Sequence, residues 1–165
     1  MDETATHVRS VSSCGVKARL IMSGIGIFVG LSVFIVFTIQ YKNLNVGIWA
    51  LLSGIAAGVA FGVTLAYHKH VWDTKPRRLK TFMIMGCFTQ LAGICGFVAY
   101  LVLAISQHQV LTAYGEGYYL TCVWCFMTWK WGFALLLYSR SFLRSYGNID
   151  GILNKDSLNG KMYGK

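Results

Sequence analysis

Apolar residues in this chain come in four long blocks rather than in a helical stripe or a strict alternation. Leu20–Gln40, Val46–Tyr67 and Thr81–Ser106 contain no Asp, Glu, Lys or Arg, and Tyr118–Tyr138 contains one, Lys130. Each reaches the roughly 20 residues that carry a helix across a bilayer. Backbone in lipid must satisfy its own hydrogen bonds, which favours helices over open strands. The pattern therefore predicts an all-α, polytopic membrane protein. Its four transmembrane helices run over about 20–40, 46–67, 81–106 and 118–139. A polar arm, 1–19, precedes this 20–139 domain, and a polar tail, 140–165, follows it. The first block lies behind the arm and exceeds the roughly 7–15 apolar residues of a signal peptide. It is expected to stay in the mature protein.

Composition agrees. Of 165 residues, 55% are hydrophobic and 13% charged, with one proline. Soluble domains carry about 25% charged residues. The formal charge of +9 has a topological cause. Arg9, Lys17 and Arg19 lie in the arm. Lys69, Lys75, Arg77, Arg78 and Lys80 lie in the second link, "HKHVWDTKPRRLK". Arg140, Arg144, Lys155, Lys161 and Lys165 lie in the tail. By the positive-inside rule, both termini and the second link face the cytosol. The basic link also suits contact with anionic lipid, and no nucleic acid is needed to explain the charge.

Small residues recur along the second block at Ala50, Gly54, Gly58, Gly62 and Ala66, every fourth position. Such a ridge lets helices approach closely. Gly26 and Gly30, and Ala92 and Gly96, offer shorter versions. Four helices alone make a narrow path for a large solute, which points to a homo-oligomer. The C-x-x-C pair Cys122 and Cys125 shares one helix face and reads as small packing residues.

Several residues stand out against this background. His108, in "LAISQHQVLT", lies beyond the third helix on the exoplasmic side. Lys130, between Trp129 and Trp131, lies about 18 Å into the fourth helix at 1.5 Å per residue, where an ionisable group invites a functional reading. His68 and His70 follow Tyr67 at the cytosolic mouth. Tyr138, Arg140 and Phe142 form an aromatic–x–Arg–x–aromatic set suited to stacking a planar ligand and pairing its carboxylate. A flat, anionic, metal-bearing solute would use all of these groups, and haem fits. Its iron takes axial His or Tyr, its ring stacks on aromatics and its propionates seek cations. A bare divalent ion would want acids at membrane depth, but all six lie in links or tails.

The text from Leu103 to Arg144 resembles the haem-responsive gene family of haem transporters, solute carrier family 48. The resembling patterns are LAI-x-x-HQ-x-LT, then YYL-x-x-VW-x-F, then KW-x-F. The resemblance implies haem import from an extracellular or endolysosomal space to the cytosol, with no enzymatic activity and haem as cargo instead of a permanent cofactor. It makes His108 the exoplasmic haem ligand, Lys130 and Trp131 the family's KW pair, and Tyr138–Phe142 its C-terminal aromatic/Arg motif. The family's second-helix ligand is expected at Tyr67, with His68 and His70 as alternates. Tyr118, Tyr119 and Trp124 are available as ring contacts. Tyr146–Ile149 and the Ile152–Leu153 pair read as sorting signals, which suggests the plasma membrane, the endolysosome or both. The rival readings are a membrane-bound haem-dependent electron carrier and a non-transporting scaffold. The first wants paired histidines at depth, which the blocks lack. The second has no use for His108 or Lys130.

Overall fold

The computed structural model describes residues 13–69, 78–109 and 117–163, with side chains from 14 to 145 within these. They form four α-helices: α1 (Ser13–Ile39), α2 (Leu44–His68), α3 (Arg78–Ser106) and α4 (Tyr118–Tyr163). All four contain a stretch long and apolar enough to cross a membrane. The helix ends differ from the sequence reading. α1 begins ahead of the apolar block and α4 runs past it to Tyr163, because a helix need not stop where hydrophobicity does. The candidate sorting signals thus fall on helical backbone.

Packing runs from α1 to α2, from α2 to α4 and from α4 to α3, while α2 and α3 barely meet. The central helices are the covered ones. Half of the apolar window of α2 is buried, against 11% for each of α1 and α3. The flanking pair turn residues such as Phe28 and Phe88 outward, as lipid contact requires.

Glycine allows the closest crossings. A side chain at Gly30 of α1 would meet the Cα of Gly54 on α2 at 2.7 Å, so these backbones touch. Gly93 of α3 faces the backbone of Trp129 on α4 in the same way. The ridge expected along α2 is used only in part. Gly54 is in tight contact, Gly58 only brushes Ile27, and Gly62 faces open space. Ala92 is exposed, and Gly96 instead receives the indole of Trp49.

Two helix ends shape the loop side of the bundle. Asn43 caps α2, its Oδ1 accepting from the Val46 amide at 3.1 Å. α3 closes with the His108 amide donating to Ile105 O and the Gln109 amide to Ala104 O, both at 3.1 Å. These are the two bonds of a Schellman motif. Its left-handed residue, normally glycine, is His108, with φ 49°.

Candidate functional site

At the loop end, the Schellman turn separates two neighbours. His108 is exposed. Gln109 turns back, and its Oε1 accepts from the Tyr118 amide at 3.1 Å, tying the end of α3 to the start of α4. An aromatic cluster lies beneath. The Tyr100 ring is 6.4 Å from Trp49, edge-on, and 5.9 Å from Tyr118. Its hydroxyl donates to Asn45 Oδ1 at 3.3 Å. Tyr118 is therefore a packing residue, buried at 9% exposure. Tyr119 and Trp124 are half-buried.

Midway along the bundle, α1, α2 and α4 border a groove of about 140 Å³. Met22, Ser53, Trp124, Met127, Lys130 and Trp131 contribute to its wall. Small-molecule pockets begin at roughly 300 Å³, so a macrocycle would lie along the open side of this groove. Lys130 is exposed there, its Nζ 5.0 Å from the centroid of the buried Trp131 ring. Trp129 points toward α3, stacked between Phe126 at 5.2 Å and Phe133 at 5.9 Å. Adjacent residues on a helix diverge by about 100°, so Lys130 has one tryptophan beside it instead of two.

The opposite end of the bundle gathers the remaining candidates. Tyr67, at the end of α2, lies flat on Phe142 of α4, with centroids 4.0 Å apart and planes 13° apart. Tyr138, one turn before Phe142, faces the same way, because residues four apart share a helix face. Arg140 lies between them in sequence and cannot follow, since two steps turn it to the far side. It is exposed. The cation beside these rings is Arg19 of α1, its guanidinium carbon 4.6 Å from the Tyr138 centroid and 5.4 Å from that of Phe142. His68 is exposed next to Tyr67, and His70 lies outside the described residues.

Sequence reasoning missed Arg19, Gln109 and Trp49. The signal for Arg19 was its place immediately before the first apolar block, but only tertiary packing shows which rings it meets. Cys122 and Cys125 are buried free thiols, and Cys122 Sγ points to Phe97 O at 3.7 Å. Among the described residues no group of three or more His, Cys, Asp or Glu is placed to hold a metal ion.

Comparison with known proteins converges on one family. Residues 79–131 match the family described as "Haem-transporter, endosomal/lysosomal, haem-responsive gene". The match covers α3, the turn bearing His108 and α4 as far as Trp131, and ends before Tyr138. The chain is also 26% identical over 130 residues to "Heme transporter hrg-1" of Caenorhabditis elegans, an alignment spanning 76% of this chain and 67% of that protein. No solved structure matches.

Proposed function

We propose, from the premise that this chain belongs to the haem-responsive gene family of haem transporters, that it imports haem into the cytosol through stations at the two ends of the bundle. The protein is a transporter and not an enzyme, and haem is its cargo. The observation that carries the relay reading is the meeting of Tyr67, Tyr138 and Phe142 at one end of a bundle whose other end exposes His108.

Haem arrives on the exoplasmic side, where the His108 imidazole takes one axial position on iron. Lys130 attracts the propionates along the groove. Its charge is half-way down the bundle and one aromatic face steadies it, so it offers attraction without enclosing the ligand. At the cytosolic end the Tyr67 phenol takes over the iron, with His68 and His70 as alternates, and the rings of Tyr138 and Phe142 support the macrocycle. Arg140, exposed beyond the rings, receives a propionate as haem leaves. Transport needs sites that bind and also release, and shallow, open stations satisfy both demands. A homo-oligomer would widen the narrow path that one bundle provides. The plasma membrane, the endolysosome or both would house it.

The test is haem-dependent growth of haem-deficient cells, with cytosolic accumulation of a fluorescent zinc porphyrin as a second readout. Cells expressing the chain should grow on haem too dilute for vector-only cells. No gain in either readout, with the protein present in the membrane, would refute import.

A further inference from the structure

Arg19 has two rings beside it and a donor with nothing to bind among the described residues. Its Nη1 is buried and makes no hydrogen bond to any of them. A guanidinium carries five N–H donors and keeps its charge, and a buried charged donor left without an acceptor is strongly unfavourable. The faces of Tyr138 and Phe142 attract the cation, yet neither accepts a hydrogen bond as an oxygen does. The Arg19 carbonyl is already engaged by Ser23 Oγ at 2.8 Å, which anchors this turn of α1. The guanidinium is thus held on aromatic faces with part of its donor fork unmet. It sits beside the Tyr67–Phe142 stack, where α1, α2 and α4 come together.

We propose that Arg19 binds a propionate carboxylate of haem at the cytosolic station, with Tyr138 and Phe142 holding the guanidinium in position for it. The inference rests on the haem-transport reading above. A planar guanidinium pairs a carboxylate through two parallel hydrogen bonds, which a lysine cannot do. A carboxylate at this point gives Nη1 its missing acceptor, and the attached macrocycle then lies against the aromatic rings. Arg140 is on the wrong side of α4 for this contact. The inner cation therefore comes from the first helix, 119 positions before Tyr138 in the sequence.

The experiment compares haem with haem dimethyl ester, whose carboxylates are masked, by absorbance titration of the purified full-length protein in detergent. The parent should bind haem at least about 10-fold more tightly than the ester, the scale of a charge-assisted hydrogen bond. Arg19→Gln should reduce that preference to about threefold or less, mainly by weakening haem, and Arg144→Gln, at an exposed cation of α4, should preserve it. Equal weakening of haem and ester by Arg19→Gln would overturn the inference, because Arg19 would then act only through shape. Loss of the preference in Arg144→Gln, or equal binding of both ligands by the parent, would also overturn it while leaving transport intact. If Arg19→Gln does not fold, Arg19→Lys decides. A reduced preference supports the two-pronged contact, and an unchanged one overturns it. A parent that binds neither ligand sinks the transport reading and this inference together.

Discussion

Tyr67 and Phe142 come from different helices and stack face to face, with ring centroids 4.0 Å apart. The pair locks the end of α2 to α4. It also puts the expected iron ligand of the second helix directly on the aromatic motif of the fourth. Phe142 is fully buried, so Phe142→Ala should cost about 3–5 kcal/mol and lower the unfolding temperature in detergent. Tyr67→Phe keeps the stack. It should change stability by less than about 1 kcal/mol yet reduce haem uptake several-fold. Unchanged uptake in Tyr67→Phe would remove the phenol from the relay.

The two kinds of glycine on the α1–α2 seam should respond differently. Gly30→Ala forces a methyl into the backbone of Gly54 and should destabilise by about 1–3 kcal/mol. Gly62→Ala meets nothing and should leave stability unchanged or raise it slightly, since alanine is the better helix former. Thermal unfolding of the two variants checks this. Equal losses would mean that the seam has another register.

The left-handed backbone at His108 separates its proposed binding role from its structural one. An L side chain there costs about 1–2 kcal/mol, and glycine is the natural occupant of such a turn. His108→Gly should unfold no more easily than the parent while losing haem binding. Gln109→Ala should do the reverse, loosening the α3–α4 tie and lowering stability without removing the imidazole. A His108→Gly variant that melts well below the parent would contradict this account of the turn.

Burial of both C-x-x-C thiols predicts an absence of redox work. Changing Cys122 and Cys125 together to alanine should leave haem uptake within about twofold of the parent, with a modest stability loss from the cavities. A requirement for either thiol in uptake would overturn the packing role.

The four spans were legible because each is a property of local composition, readable from one stretch at a time. His108 at the end of α3 and Tyr67 near the end of α2 were legible for the same reason. The partner of the aromatic motif was not. Arg140 stands between Tyr138 and Phe142 in the sequence, yet helical rotation turns it outward. Arg19 enters from a helix whose position no local pattern encodes. The glycine ridge shows the same limit. Spacing by four identifies a face, but not how far along that face the neighbour reaches, and α1 leaves Gly62 uncovered. Trp129 and Trp131 look equivalent beside Lys130 in the text, and packing sends them to different neighbours.

The most direct test of transport between two end stations is the initial rate of haem uptake by haem-deficient cells expressing the parent or His108→Ala, at equal amounts in the same membrane. The account predicts rapid uptake by the parent and loss of most of it in the variant, because the first axial ligand is gone. Equal uptake by both would contradict it and make the exposed imidazole an ordinary loop residue.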